Sequence, residues 1–77
     1  TVSDSAIDGL GMLARSSQKE MALAQLLRLT TAKWWHTRYR LALALKHFDD
    51  PRATTALQEL GRDEDHRVVG ATLERLL

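Results

Sequence analysis

The chain has 77 residues, no cysteine, a single proline and a formal net charge of +1. A chain of this length forms one small domain, and the absence of cysteine excludes disulfide bonds and cysteine-ligated metal sites. Charged residues interrupt every apolar stretch, so the sequence contains no run of about 18 apolar residues that would predict a membrane span.

The first three predicted elements are helices. Residues 5–15 have helical apolar spacing, although each of their two glycines costs about 1 kcal/mol relative to alanine in a helix interior. Residues 17–29 open with Ser-Gln-Lys-Glu, which fits a capping box. The third and longest helix is predicted over residues 32–48, where Leu41 and Leu45 belong to an apolar stripe at spacings of three and four.

Two acidic turns introduce the last two predicted helices. Asp50 is placed to cap a fourth helix over residues 51–60, which begins with proline and is followed by Gly61. Asp63 or Asp65 caps a fifth helix, whose apolar stripe continues to the end of the chain at Leu76 and Leu77. No alternating strand pattern is present, so we expect an all-α fold of about five helices stacked as antiparallel hairpins.

Charge is distributed unevenly along the chain. Residues 21–48 contain five basic side chains and no acidic one, whereas residues 49–77 contain seven acidic side chains and four arginines. This polarisation influences the choice of partner more than the fold. Because the chain starts without methionine and ends on two leucines, we interpret residues 1–77 as a single domain taken from a longer protein.

The two acidic turns resemble those of a known family. Residues 50–53 read Asp-Pro-Arg-Ala, and Asp63, Asp65 and Val68 follow in the pattern Asp-x-Asp-x-x-Val. Together they resemble HEAT-like repeats of the short bacterial type, the PBS-lyase HEAT-like repeats, most clearly over residues 35–77. That family usually has arginine after this valine, and here a second valine stands there. The resemblance implies an α-solenoid fragment, and the register between its units stays open.

The sequence contains no recognisable catalytic or metal-binding set. His36, His47 and His66 are dispersed, and no two of them lie one helical turn apart as in a helical metal site. Capping explains the aspartates of the two turns, and no glycine-rich phosphate loop follows a strand. We therefore expect no enzymatic activity, no metal and no cofactor.

The candidate partner-binding residues lie on the third helix: Trp34, Trp35, Arg38, Arg40 and Lys46. Adjacent helical positions point about 100° apart, so both indoles do not enter one core slot. We predict that one tryptophan packs inward and that the other lies at a rim, where a tryptophan beside arginine is a common interface anchor. The alternative is that both indoles serve internal packing.

Two functional hypotheses follow from this surface. The first is a protein-interaction or scaffolding module that binds a protein partner or a neighbouring domain of the parent chain. The second is a nucleic-acid-binding helical repeat that uses the basic segment 28–46, unless those cations pair with the acidic turns at 49–50 and 63–65. The family resemblance implies a third role, an accessory repeat domain of a larger enzyme. Added salt separates the first two, because phosphate binding weakens steeply with salt.

Overall fold

The computed structural model describes residues 3–74, and all regular elements in that range are α-helices. The all-α prediction is therefore confirmed for the described part of the chain. Leu76 and Leu77, predicted to extend the apolar stripe of the last helix, lie outside the described residues. The helices are α1 (Asp4–Gly11), α2 (Lys19–Leu27), α3 (Trp35–Leu45), α4 (Pro51–Leu60) and α5 (His66–Leu73).

Helix α3 is the centre of the fold. It packs between α1 and α5 and also contacts α2 and α4. Helices α1, α3 and α5 begin at intervals of 31 residues, and α2 and α4 begin 32 residues apart. The chain therefore repeats one two-helix unit, and equivalent helices of successive units lie side by side.

The core is apolar and is drawn from every helix. Gly11 allows the close approach of α1 and α3, since a Cβ atom at this position would lie 3.0 Å from the Cβ of Ala44. Ala42 on α3, Ala53 on α4 and Ala71 on α5 are fully buried, so small side chains contribute to the core of these helices. The largest fully buried side chains are Ile7, Leu23, Leu26, Leu41, Leu45 and Val68.

The predicted aspartate caps of α4 and α5 are confirmed, and the two caps share one design. Asp50 accepts a hydrogen bond from the backbone N–H of Arg52 at 2.8 Å, and Asp65 accepts one from that of Arg67 at 2.9 Å. Each arginine also turns its guanidinium back to the same carboxylate. The side-chain hydrogen bond from arginine, with help from the backbone N–H, lowers the pKa of each aspartate to about 2.

The predicted capping box at the start of α2 is wrong. The helix begins at Lys19, and the hydroxyl of Ser16, rather than that of Ser17, accepts a backbone hydrogen bond in the preceding turn. The carboxylate of Glu20 does not fold back to its own helix but forms an ion pair with Arg52 on α4, at 2.8 Å. An ion pair between helices α2 and α4 thus takes the place of the predicted hydrogen bond between Glu20 and the start of its own helix.

The first and third helices are shorter than predicted. Helix α1 ends at Gly11, and the following residues form turns up to α2. Helix α3 begins only at Trp35, because the backbone carbonyls of Ala32 and Lys33 accept hydrogen bonds from the side chain of Arg38 and Trp34 has extended backbone angles. The α2–α3 connection, residues 28–34, is therefore a turn held by a side chain.

The substitution Leu45→Ala should lower the free energy of unfolding by about 2–5 kcal/mol, because it leaves a cavity in the core. Leu45 is fully buried, whereas Leu73 is 77% exposed and offers the same substitution on the surface. We expect Leu73→Ala to change stability by less than about 0.5 kcal/mol. Urea denaturation measures both values, and equal losses would show that the core has been assigned to the wrong face of α3.

The aspartate caps predict a loss of stability in acid. Their folded-state pKa values of about 2 lie below the usual value of 3.8, so the ionised caps stabilise the native state fully above about pH 4. That contribution is lost as the pH falls from about 4 to about 2. Thermal unfolding followed across this range should show a shallower decline in the double variant Asp50→Asn/Asp65→Asn, because asparagine caps a helix without titrating.

The matched control for this experiment is Glu59→Gln. Glu59 is an exposed carboxylate with no ion pair among residues 3–74. The stability of Glu59→Gln should depend on pH in the same way as that of the unsubstituted protein. An equally steep decline in stability in the unsubstituted protein and in the double variant would show that the two cap aspartates do not cause the loss in acid.

Candidate partner-binding site

The two tryptophans at the start of α3 have different environments. Trp34 occupies the N-cap position, and its side chain is 58% exposed. Trp35, the first residue of the helix, is half-buried and packs edge-on against Tyr39 with 6.1 Å between ring centroids. One indole therefore lies on the surface and the other lies partly inside, as expected, but the cause differs from the expected one because Trp34 precedes the helix and has extended backbone angles.

Cationic and aromatic side chains surround both indoles. The Nζ of Lys33 lies 5.2 Å from the centroid of the Trp34 ring, and the ring of His36 stacks on the same indole at 6.4 Å. The guanidinium carbon of Arg67 lies 3.5 Å from the centroid of the Trp35 ring. Such cation–π contacts are favourable, and here they tie α5 to the start of α3. Arg67 therefore covers one face of Trp35, while Trp34 stays more accessible.

Arg38 is buried rather than exposed. Its Nε and Nη2 atoms donate to the two carboxylate oxygens of Asp63, at 2.7 and 3.1 Å, in a bidentate ion pair. Its Nη1 atom donates to the carbonyls of Ala32 and Lys33 at 2.6 and 3.1 Å. The side chains of Arg38 and Asp63 are 11% and 9% exposed. The prediction that Arg38 contacts a partner therefore does not fit its position, because the whole guanidinium is used inside the protein.

The Arg38–Asp63 pair is held in its ionised form. The hydrogen bond to Asp63 raises the pKa of Arg38 against the opposing effect of burial. Burial opposes ionisation of Asp63, but hydrogen bonds from Arg38 and from the backbone N–H of Asp65 keep its pKa below the usual value. Asp63 thus has a tertiary role as well as the predicted role in the turn.

Arg40 and Lys46 also have intramolecular partners. Arg40 lies 3.1 Å from the carboxylate of Asp8 and 4.0 Å from that of Asp4, both on α1. Lys46 donates a hydrogen bond to the backbone carbonyl of Glu74, and partial burial lowers the pKa of Lys46. Three of the five cations of the basic segment therefore have partners within the fold. Arg40 pairs with α1 and not with the acidic turns that the sequence analysis considered.

Two exposed cations of the segment remain on the α2–α3 connection. Arg28 and Lys33 are both exposed, and neither forms an ion pair within residues 3–74. They lie on the same short connection as Trp34. We name Lys33, Trp34 and His36, together with the partly buried Trp35 that packs edge-on against His36, the tryptophan surface.

Sequence reasoning missed the roles of the two cap arginines. Arg52 reaches back to Glu20 near the start of α2, and Arg67 reaches back to Trp35 at the start of α3. Both contacts span 32 residues, which matches the repeat interval of the helices. An arginine two residues after each cap aspartate was the available signal, because the same pattern occurs at the start of two successive helices, α4 and α5.

Comparison with known proteins agrees with this repeated geometry. A family model described as HEAT repeats matches residues 2–77. The chain belongs to the HEAT repeat family. Searches of curated proteins and of solved structures gave no significant match. The resemblance first seen in the two acidic turns is thus confirmed for the family, and HEAT repeats commonly serve as protein-interaction scaffolds and are typically not catalytic.

The described part of this HEAT-repeat chain offers no metal centre. Within residues 3–74, no group of three or more histidine, aspartate or glutamate side chains is arranged to hold a metal ion. None of the described helices is both long and apolar enough to cross a membrane.

Arg38→Met should lower the free energy of unfolding by about 3 kcal/mol, because it leaves the Asp63 carboxylate buried without its partner. The control is Arg62→Met, since Arg62 is exposed and forms no ion pair among the described residues. Urea denaturation should show little change for the control. Equal stability of the two variants would mean that the buried pair contributes nothing to the fold.

Single-tryptophan variants test the exposure of the two indoles. Trp35→Phe leaves Trp34 as the emitter, and Trp34→Phe leaves Trp35. We expect red-shifted emission and stronger quenching by iodide in Trp35→Phe, because Trp34 is 58% exposed. Acrylamide, which is neutral, should rank the variants in the same order and exclude an effect of nearby lysine on iodide. Equal quenching by acrylamide would contradict the placement of Trp34.

Proposed function

We propose that this chain is a non-catalytic protein-interaction module and that its partner surface is the tryptophan surface at the start of α3. The observation that carries the proposal is the exposure of Trp34, which is 58% accessible beside the cation of Lys33. A tryptophan at the centre of a contact often accounts for much of the binding energy in a protein interface. HEAT repeats, moreover, commonly act as scaffolds for such contacts.

The connection that carries Trp34 is held in place before any partner binds. Arg38 bonds to the carbonyls of Ala32 and Lys33, the two residues that precede Trp34. A surface residue in a fixed backbone loses less conformational entropy on binding than one in a mobile loop. Arg38 thus positions the backbone that carries Trp34 and does not itself contact the partner.

The other predicted contact residues have different places in this proposal. Trp35 is the partly buried residue of the surface, and Arg67 covers one face of its ring. Arg40 borders the surface, because its guanidinium and the ring of His36 both lie near the carboxylate of Asp4. Lys46 follows the opposite end of α3 and is not part of the proposed contact.

Nucleic-acid binding is the less favoured alternative. Phosphate recognition depends on several cations that are free to contact the backbone of the nucleic acid. Here Arg38, Arg40 and Lys46 have partners within the fold. Of the basic segment, this leaves Arg28 and Lys33 without an ion pair among the described residues. A protein partner, which includes a neighbouring domain of a larger enzyme, needs fewer cations and uses the exposed indole directly.

Site-specific photo-crosslinking tests the proposal. Benzoyl-phenylalanine is placed at position 34 in cells that make the parent protein, and position 59 on the exposed side of α4 serves as the control. We expect adducts with a discrete protein from position 34 and none from position 59, and nuclease treatment should leave the adducts intact. Nuclease-sensitive adducts, or identical adducts from both positions, would contradict a protein-binding role for this surface.

A further inference from the structure

We propose that the tryptophan surface binds an acidic peptide segment of its partner, with an apolar side chain against Trp34 and a neighbouring carboxylate beside Lys33. This inference rests on the proposed function and specifies the class of ligand. It follows from which charges near Trp34 are already paired and which are free.

The α2–α3 connection carries cations that form no ion pair with the described residues. Residues 21–48 contain no acidic side chain, and Arg28 and Lys33 on the α2–α3 connection have no ion pair within residues 3–74. A surface with unpaired cations favours a ligand of opposite charge and disfavours a basic one.

The nearby carboxylates are engaged by other residues. Asp63 binds Arg38, and Asp65 binds Arg67. Asp4 lies 3.7 Å from His36 and 4.0 Å from Arg40. Glu64, exposed on the α4–α5 turn, is the acid of this region that is in no ion pair with the described residues. Among residues 3–74, Glu64 is thus the unpaired acid of the α4–α5 turn, whereas Arg28 and Lys33 are unpaired cations of the α2–α3 connection.

The spacing of Lys33 and Trp34 fits neighbouring groups on one short peptide. The ammonium lies 5.2 Å from the centroid of the indole, so the two recognition elements are about one side chain apart. A carboxylate and an aromatic or aliphatic side chain on neighbouring residues of a ligand reach both at once. The small extent of the surface matches a linear segment better than the broad patch of a globular interface.

Selection from a phage-displayed library of random peptides tests this inference on the intact chain. The immobilised protein is the target, and binders that also bind Trp34→Ala are removed. The selected peptides should carry aspartate or glutamate next to an aromatic or aliphatic residue. One such peptide, labelled with fluorescein, is then titrated by fluorescence anisotropy against the parent protein and its variants.

The variants separate the two recognition elements. Lys33→Glu should weaken binding by about tenfold or more, as expected for a residue at the centre of a contact. Trp34→Ala, whose binders the selection removes, checks that this removal was complete. Arg15→Glu makes the same change of charge on the exposed α1–α2 connection, which adjoins the opposite end of α2, and should leave binding unchanged within about twofold. An oligothymidine of similar length should not displace the peptide.

Each contrary outcome has a distinct meaning. Trp34-dependent peptides without acidic residues, or peptides that bind Lys33→Glu as well as the parent, overturn the acidic class but leave a protein-binding role intact. Equal weakening by Arg15→Glu shows only general charge attraction and also overturns the inference. Displacement by oligothymidine assigns the surface to single-stranded nucleic acid, and it then contradicts both the inference and the proposed function.

Discussion

The bidentate ion pair between Arg38 and Asp63 is the contact that joins three parts of the fold. Arg38 lies on the central helix, Asp63 lies in the α4–α5 turn, and the carbonyls of Ala32 and Lys33 bring in the α2–α3 connection. A buried ion pair must offset a large desolvation cost, which it does only when the remaining hydrogen-bonding capacity is used. That condition is met, because Asp63 also accepts the N–H of Asp65 and no buried side-chain polar atom within residues 3–74 lacks a partner. We infer that the pair fixes the geometry of two connections as much as it stabilises the fold.

The repeat architecture explains why such polar contacts lie at the helix starts. Successive units bury their apolar side chains against α3, and the connections are left to be positioned by hydrogen bonds and ion pairs. Each cap aspartate holds an arginine two residues later, and that arginine reaches the start of a helix in the preceding unit. Because a repeat protein is stabilised by contacts between neighbouring units, these arginines act as links along the stack. Trp34 directly follows the two residues whose carbonyls Arg38 binds, and its side chain stays exposed.

Local chemistry allowed α4, α5 and their caps to be predicted, because an aspartate cap, a following proline and a closing glycine act within a few residues. The different exposure of the two tryptophans was expected from the directions of neighbouring helical positions, but its cause is that Trp34 lies before the helix with extended backbone angles. The failed capping box was not predictable because its cause is distant, since Arg52 lies 32 residues from Glu20. The late start of α3 depends on hydrogen bonds from Arg38 to carbonyls five and six residues before it, and the guanidinium that makes them is bound by Asp63, 25 residues away. Spacing placed Arg38 near the apolar stripe but did not identify the acid that it meets.

Amide hydrogen exchange in Arg38→Met tests most directly whether this side chain positions the surface that carries Trp34. The comparison is a core variant, such as Leu45→Ala, studied at a denaturant concentration that gives the same global stability. The amides of Ala32 and Asp65 are the reporters, because they lie in the two connections that the pair joins. We expect faster exchange at both amides in Arg38→Met than in the matched core variant, with similar exchange within α1 and α2. Equal exchange at Ala32 and Asp65 in the two variants would contradict this positioning role, because Arg38 would then contribute only to global stability.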